Sequence, residues 1–359
     1  TANGVVASPY SMKNRIINGA MVIDQRNAGA STTPTGSTYT LDRWRVLATQ
    51  SSKFSVQQNA GSVTPPAGFK NYLGITSLSA YTVTTGDNFS IQQKIEGYNV
   101  ADLGYGASGA STVTLSFWVR SSLTGTFGGV FCNENADQGY IFSYTINSAN
   151  TWEQKTVTVS GDTTGTWVTT TGVGLDVRFN FGSGSDKLST AGSWSGTVYN
   201  SVTGQTSVVG TNGATFYITG VQLEVGSTAT AFEWRPYGME LVLCQRYYQK
   251  IKSTSGGGVE TIEAWPMCCI SATSASLWYP FPVTMRSAPT GSYTGVVNTD
   301  FQVYSAGSYR TLSGIPNLSP LTPYGSRIDM SSSSNFTSGY AAALYLQTTT
   351  ASFSFSAEL

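Results

Sequence analysis

Histidine is absent from this chain of 359 residues. This excludes a Ser-His-Asp triad, a Cys-His pair, an imidazole zinc site and a histidine pH switch. Charged residues make up 11 % of the chain, against roughly 25 % in ordinary soluble domains, and the net charge is zero. Because no run of Lys and Arg offers the basic face that phosphate binding needs, nucleic acid is not expected as a partner.

Long apolar runs are also missing. No stretch approaches the roughly 18 to 20 apolar residues that a membrane-spanning helix requires, so membrane insertion is not expected. The first residues have neither the charged region nor the apolar region of a signal peptide. Export through a secretory signal is therefore not indicated.

Cysteine is scarce, and its spacing is uninformative for metals. Cys132, Cys244, Cys268 and Cys269 form no CxxC pair. We expect free thiols, buried or semi-buried, in a chain assembled in a reducing cytosol. Cys268 and Cys269 are adjacent, so on a strand their side chains would point to opposite faces.

Neither a metal site nor a catalytic site is predicted. Loop 133–139 alternates oxygen donors, but Gly139 is one place late for an EF-hand and Tyr144 stands where the bidentate Glu belongs. We interpret it as a polar hairpin tip, with bound Ca²⁺ as the alternative. Hydrolysis without histidine would need paired carboxylates. No spacing singles out a facing pair among Glu153, Asp162, Asp176, Asp186, Glu260 and Glu263. The chain is expected not to be an enzyme.

Apolar alternation is the main structural signal. It runs through Val113, Leu115, Phe117 and Val119, and again through Leu175, Val177, Phe179 and Phe181. Period-two alternation predicts half-buried strands. Within 216–225 the apolar phase slips at Gly220, which predicts a bulge there. Many short strands between turn residues indicate an all-β fold, an antiparallel β-sandwich.

A short amphipathic helix is predicted to follow the sandwich, over 240–251. It is too short to be stable alone, so it must dock on its own domain or on other copies of the chain. A glycine-rich linker comes next, and then a second, smaller C-terminal β-domain. The predicted helix face is Leu241, Cys244, Tyr247, Tyr248 and Ile251.

Three segments carry a resemblance to a known family: NRIINGAMVIDQRN at 14–27, SFWVRSSLTGT at 116–126, and FYITGVQLEVGSTATAFEWRPYGMELVLCQRYYQK at 216–250. Together they resemble a module recurrent in bacteriophage tail-fibre and related virion proteins. The resemblance implies a jelly-roll similar to carbohydrate-binding modules. It also implies a homotrimer, for which the predicted helix face supplies the interface candidates.

The resemblance suggests four regions. We expect a virion-attachment arm at 1–18, a carbohydrate-binding-module-like β-jelly-roll at 19–237, a helix and linker at 238–258, and a distal β-domain at 259–359. The arm would bind other virion proteins, and the distal domain would contact host surface polysaccharide. The expected location is the virion, after assembly in the host cytoplasm.

Aromatic residues are the candidate ligand contacts, because the apolar face of a pyranose stacks on a flat ring. The ligand-binding candidates are Trp194, Trp278, Tyr279, Tyr304, Tyr309 and Tyr324. Glu224 and Glu233 are interpreted as structural partners of arginines. The function predicted is that of a non-catalytic, trimeric receptor-binding fibre or adhesin. The alternatives are a structural head fibre, collar or capsid decoration protein, a detached carbohydrate-binding module, and a polysaccharide depolymerase.

Overall fold

The computed structural model describes residues 12–253, 264–333 and 335–359. The chain divides into two compact units, one of residues up to Leu241 together with Leu359, the other Val242–Glu358. Both consist mainly of antiparallel strands, so the all-β prediction is confirmed. Within the described ranges, no helix has the length and apolarity of a membrane span.

The first unit is a β-sandwich. Its strands are β1 (Thr38–Leu41), β2 (Trp44–Ala48), β3 (Phe54–Gln58), β4 (Leu73–Ser77), β5 (Asn88–Glu96), β6 (Val113–Ser121), β7 (Gly125–Cys132), β8 (Gly139–Ile146), β9 (Glu153–Val159), β10 (Val173–Ser183), β11 (Leu188–Ser189), β12 (Trp194–Ser195), β13 (Ser201–Val202) and β14 (Thr215–Val225). One sheet has the order β1-β2-β5-β10-β7-β8-β12, and the other β3-β4-β14-β6-β9. A short parallel pair, β11-β13, completes the unit.

The core of the first unit lies between its two large sheets. The alternating apolar residues predicted for β6 and β10 are all buried there, in one cluster. The Phe117 ring of β6 meets the Phe179 ring of β10 edge-on, with centroids 5.0 Å apart. Period-two alternation thus identified the inward face of a strand in each sheet.

The predicted bulge at Gly220 is confirmed. The pairing of β14 with β6 shifts register between Thr219 and Gln222. Gly220 has φ 58°, and a Cβ added there would lie 2.6 Å from the Phe69 ring. Only glycine supplies this backbone conformation in so little space, and the shift keeps the apolar residues on both sides of it facing the core.

The second unit is a smaller sandwich. Its strands are β15 (Tyr248–Lys252), β16 (Ala264–Cys269), β17 (Ser274–Pro280), β18 (Thr290–Thr294), β19 (Phe301–Ser305), β20 (Ser308–Arg310), β21 (Asn317–Thr322), β22 (Gly325–Ser331), β23 (Ala341–Leu346) and β24 (Ser352–Ser356). A seven-stranded sheet has the order β20-β19-β23-β16-β17-β22-β21, and a three-stranded sheet the order β15-β24-β18. Phe301 and Phe353, one from each sheet, lie 5.1 Å apart in the core.

The helix is shorter than predicted and lies earlier in the chain. The α-helix α1 spans Tyr237–Gln245, and Tyr248–Lys252 is strand β15, paired with β24. The prediction failed because the apolar spacing of 248–251 fits a strand as well as a helix. Pairing with β24 satisfies the backbone of this segment and buries Ile251 in the core of the second unit.

Residues 14–18, expected to belong to an arm, are instead part of the first unit. Asn14 is buried, its Nδ2 donates to the Val221 carbonyl at 3.1 Å, and its Oδ1 accepts from the Leu223 amide at 3.0 Å. The Arg15 amide donates to the Leu223 carbonyl at 2.8 Å. This segment therefore runs along β14. Residues 1–11 of the expected arm lie outside the described residues.

A buried arginine holds this segment in place. One terminal nitrogen of Arg235 donates to the Ile16 carbonyl at 3.1 Å, and the other donates to the Asn14 carbonyl. The guanidinium also pairs with Glu233 at 3.2 Å and Glu240 at 3.4 Å. All three charged side chains are at most 13 % exposed. We call Glu233, Arg235 and Glu240 the arginine clasp.

The carboxylates of the clasp are saturated by the same segment. Glu233 accepts the amides of Lys13 at 3.1 Å and Asn14 at 3.0 Å, and Glu240 accepts the Asn18 amide. The interpretation of Glu233 as a partner of arginine is thus confirmed. Glu224 differs, since it accepts hydrogen bonds from Thr230 and lies 3.9 Å from the Lys13 ammonium.

We predict that Arg235→Ala destabilises the first unit by about 3 kcal/mol or more, because it leaves two buried carboxylates without their cation. Chemical denaturation of the full chain measures the loss. The exposed Lys70→Ala is the matched control and should change stability by less than about 0.5 kcal/mol. Equal, small effects of both substitutions would show that the clasp does not support the fold.

Candidate functional site

Strand alternation gives the seven-stranded sheet of the second unit two different faces. On β17, Leu277 and Tyr279 point to the core side, whereas Trp278 points away from it and is 50 % exposed. We call the side that carries Trp278 the outer face. The inner face is covered by the three-stranded sheet, which packs there through Phe353 and Phe355.

Three of the six candidate aromatic residues share the outer face. Tyr304 on β19 is opposite Tyr309 on β20, and both are exposed, by 38 % and 48 %. Tyr304 is also opposite Ala343 on β23, and Ala343 is opposite Pro266 on β16. The tyrosines and the two small residues therefore form one line across four strands.

The line continues to Trp278. Cys268 on β16 pairs with Ser276 on β17, and the same register, carried two residues further, places Pro266 beside Trp278. Trp278 is in turn opposite Arg327 on β22. We call this line the aromatic row: Tyr309, Tyr304, Ala343, Pro266, Trp278 and Arg327.

The dimensions of the aromatic row suit an extended ligand. Three strand-to-strand steps separate Trp278 from Tyr304, or roughly 14 Å at the usual strand spacing. Ala343 and Pro266 have small side chains, so the middle of the row is low and the aromatic ends rise above it. A shallow trough bounded by aromatic rings is the result.

The indole of Trp278 rests on a glycine. A Cβ added to Gly325 would lie 2.7 Å from Cζ2 and 2.9 Å from Cε2 of Trp278. Gly325 is on β22, diagonal to Trp278 in the antiparallel register. Because a side chain at this position would collide with the ring, glycine allows the indole to pack closely on the sheet.

Ring packing orients the tyrosines at the other end. Tyr304 and Tyr309 meet edge-on, with centroids 5.2 Å apart and planes at 75°. Tyr309 meets Tyr345 of β23 in the same way, at 5.8 Å and 73°. Such edge-to-face pairs are favourable, so these rings are held in position without a ligand.

The outer face has little charge. Arg327 pairs with Asp329 at 2.8 Å, and the other carboxylate oxygen of Asp329 accepts from the Ser276 hydroxyl. Apart from this pair, the described strands of the sheet contain only one charged residue, Arg310, opposite the inward-facing Val303. The aromatic row therefore has polar and apolar groups but no uncompensated charge.

The other candidate aromatic residues are elsewhere. Tyr279 is on the inner face, where its ring stacks on Phe355 with planes 6° apart. Because neighbouring strand residues face opposite sides, Tyr279 cannot contact a ligand that Trp278 binds. Tyr324 is 68 % exposed in the turn between β21 and β22, so the strand register assigns it to neither face.

Trp194 belongs to the first unit and is held by its neighbours. Its Nε1 donates to the Ser160 carbonyl at 2.7 Å. Its ring meets Tyr105, Tyr140 and Trp167 edge-on at 5.8, 5.5 and 5.5 Å. Trp194 is half-buried and fixes a loop to the sandwich; it is not a free stacking surface.

The trimer-interface candidates are mostly buried within the single chain. Cys244 and Tyr247 have no exposed surface, Tyr248 and Ile251 are under 10 % exposed, and Leu241 is half-buried. Their burial therefore needs no second copy of the chain. The trimer itself stays a prediction.

The loop considered for calcium is organised by its own asparagine. Asn133 Oδ1 accepts the amides of Asp137 at 3.1 Å and Gln138 at 3.2 Å, and its Nδ2 donates to Asp137 Oδ1 and to the Thr166 carbonyl. This is an Asx-type turn. Over residues 12–253, 264–333 and 335–359, no three Cys, Asp or Glu side chains are grouped as metal ligands would be.

Sequence reasoning found the aromatic ends of the row but missed its middle. Ala343, Pro266 and Gly325 have no chemistry that marks them as site residues, and they come from three separate strands. The sequence did show that Trp278 alternates with Leu277 and Tyr279 on one strand. This alternation is enough to remove Tyr279 from the ligand-binding candidates that share a face with Trp278. Nothing local shows that β16 and β23 lie between β17 and β19.

No protein-family model matches the chain, and no curated protein sequence matches it. Parts of the chain are similar to solved structures. One is the enzymatically active domain of tailspike protein 4 of bacteriophage CBA120, at 15 % identity over 61 % of this chain, with a TM-score of 0.32. This chain covers 22 % of that tailspike chain.

Two other solved structures are also similar to parts of the chain. A putative sugar binding protein from Bacteroides thetaiotaomicron is 11 % identical over 60 % of this chain and all of its own, with a TM-score of 0.34. The module TmCBM61, in complex with β-1,4-galactotriose, is 10 % identical over 51 % of this chain and 88 % of its own, with a TM-score of 0.27. TM-scores below 0.5 identify neither a family nor a ligand.

The assignment of residues to the outer and inner faces of the seven-stranded sheet can be tested by the reactivity of the cysteine thiols. Cys268 is exposed on the outer face, whereas Cys132, Cys244 and Cys269 are buried. Burial also raises the pKa of the Cys132 thiol to about 12, which keeps it protonated. We predict that one thiol per native chain reacts rapidly with an aromatic disulfide reagent, and four react after denaturation.

Cys268→Ser is the control for this measurement and should abolish the rapid reaction. Cys269→Ser should leave it unchanged, because the adjacent side chain is on the inner face. Rapid reaction that persists in Cys268→Ser would contradict the assignment of the two faces.

Proposed function

We propose that the chain is a non-catalytic carbohydrate-binding protein and that the aromatic row is its glycan site. The observation that carries the proposal is the alignment of Trp278, Tyr304 and Tyr309 on one open sheet face. Exposed aromatic side chains arranged in a line are unusual in a soluble domain and mark a binding surface. Flat rings match the apolar faces of successive sugar rings.

The chemistry of the outer face favours a neutral glycan. Its one ion pair is internally compensated, so an anionic polymer gains little from Coulomb attraction. Hydroxyl and amide groups near the row, on Ser276, Gln302 and the tyrosines, suit sugar hydroxyls. Binding of a neutral glycan should accordingly change little between low and high salt.

We further propose that the protein serves as a fibre or adhesin of a bacteriophage virion, acting as a homotrimer on a host surface glycan. The resemblance of residues 14–27, 116–126 and 216–250 to phage fibre proteins supports this. Trimerisation would suit a shallow site, because three weak contacts on one rigid particle gain from effective concentration. The N-terminal region would attach to other virion proteins.

A structural virion protein without a receptor role is the second candidate. The observation that favours it is the arginine clasp. Asn14, Glu233 and Arg235 belong to the segments that carry the resemblance, and their contacts with one another hold the fold together. The segments that carry the resemblance thus support an architecture that a head fibre or decoration protein would share. Glycan binding by the aromatic row separates the two candidates.

We predict that Trp278→Ala and Tyr304→Ala each weaken glycan binding by about tenfold or more, as loss of an aromatic anchor of a binding surface does. Affinity electrophoresis of the full chain measures this in gels containing neutral polysaccharides: β-glucan, xylan, galactan, mannan and neutral bacterial O-antigens. The wild type should be retarded by at least one of them.

Tyr98→Ala is the matched control, because Tyr98 is 60 % exposed in the first unit and lies outside the row. It should be retarded like the wild type. The proposal fails if no polysaccharide retards the wild type, or if the row variants and the Tyr98 variant migrate alike. Circular dichroism confirms that each variant is folded.

A further inference from the structure

A pocket opens beside the tyrosine end of the aromatic row. It is lined by Asn298, Gln302, Tyr309, Arg310 and Thr311, and its volume is about 200 Å³. Gln302 is two residues before Tyr304 on β19, and Thr311 directly follows β20, the edge strand of the sheet. We call it the edge pocket.

The size of the edge pocket matches one sugar ring. Its volume is about 200 Å³, and it is open to solvent on one side. A hexose displaces about this volume, and an oligosaccharide displaces several times more. The edge pocket is also smaller than the roughly 300 Å³ at which sites for larger ligands begin.

The polar groups of the edge pocket are already oriented. Gln302 Nε2 donates to the Asn298 carbonyl at 3.1 Å, and Gln302 Oε1 accepts from Gln347 Nε2 at 3.0 Å. Asn298 is fixed in turn, because its side chain bonds both the amide and the carbonyl of Leu312. Gln302 keeps one N–H and one lone pair for a ligand.

Two hydroxyl groups complete the edge pocket. Within residues 12–253, 264–333 and 335–359, neither the Tyr309 hydroxyl nor the Thr311 hydroxyl has a hydrogen-bond partner, and both residues are exposed. A donor-acceptor set of one fixed amide and two free hydroxyls beside an aromatic ring can hold sugar hydroxyls and the sugar face at once.

We propose that the edge pocket binds a sugar residue joined to the rest of the glycan through a single linkage, while the remaining chain lies along the aromatic row. This inference rests on the proposed function. The sheet ends at β20, so a chain that follows the row has no further strand to lie on. A chain end, or a one-residue branch, suits a pocket at that edge.

An array of neutral glycans tests the proposal. Each unbranched chain is displayed in three forms: coupled so that one chain end is free, coupled through both ends, and carrying one-residue branches. We expect the wild type to bind the free-end or the branched form at least about fivefold more tightly than the form coupled at both ends, the gain of one or two hydrogen bonds. Preference for the free-end form shows that the edge pocket binds a chain end, and preference for the branched form shows that it binds a one-residue branch.

Thr311→Trp fills the edge pocket and should remove this preference, so that the variant binds all three forms with similar affinity. Thr294→Trp, an exposed threonine of the three-stranded sheet, is the matched control and should behave as the wild type. Gln302→Ala, which removes the oriented amide of the edge pocket, should also lower the preference. Thermal unfolding of each variant shows whether it is folded.

The failures of the two proposals are distinguishable. Binding that depends on Trp278 but ignores chain ends and branches, or a preference that survives Thr311→Trp, overturns the edge pocket and leaves the aromatic row as the glycan site. Absence of wild-type binding to every glycan of the array overturns both proposals.

Discussion

The charged contacts of Arg235 are the constraint on which the first unit depends. A guanidinium 5 % exposed between two carboxylates is tolerable because both of its terminal nitrogens pair with a carboxylate and a backbone carbonyl. The same three side chains bind the backbone of residues 13–18 and hold it along β14. The N-terminal segment, the bulged strand and the start of α1 thus form one hydrogen-bonded assembly. Segments 14–27 and 216–250, far apart in sequence, belong together for this reason.

In the second unit the decisive constraint is strand alternation. Each residue of the seven-stranded sheet must face either the core or solvent, so adjacent residues of similar chemistry acquire different roles. Cys269 is buried, whereas Cys268 is exposed. Tyr279 stacks in the core, whereas Trp278 is available to a ligand. Gly325 lies under the Trp278 indole, and Ala343 and Pro266 occupy the middle of the row. These three residues determine the shape of the outer face, which is low in the middle and raised at the aromatic ends.

The aromatic row and the edge pocket have the properties of a preorganised but shallow site. Its rings are positioned by edge-to-face contacts and its amide by hydrogen bonds, so little conformational entropy is lost on binding. The aromatic row has no net charge and Arg310 of the edge pocket adds a single positive charge, so long-range attraction is weak. Weak and specific contact with a neutral polymer is what such a surface can provide, and repetition of the site is the physical route to strong attachment.

Four features could be predicted from the sequence: the fold class, the inward faces of β6 and β10, the bulge at Gly220, and the opposite orientation of the adjacent residues Cys268 and Cys269. These are local properties, because side-chain alternation and glycine conformation depend on a few neighbouring residues. The end of α1 is not set by local sequence. The apolar spacing of 248–251 fits a helix as well as a strand, and pairing with β24 makes the segment a strand. The aromatic row was decided only by tertiary structure, because strand order brings Tyr304, Pro266 and Trp278 together from β19, β16 and β17. Hydrogen-bond pairing between distant strands sets that order, and no short stretch of sequence records it.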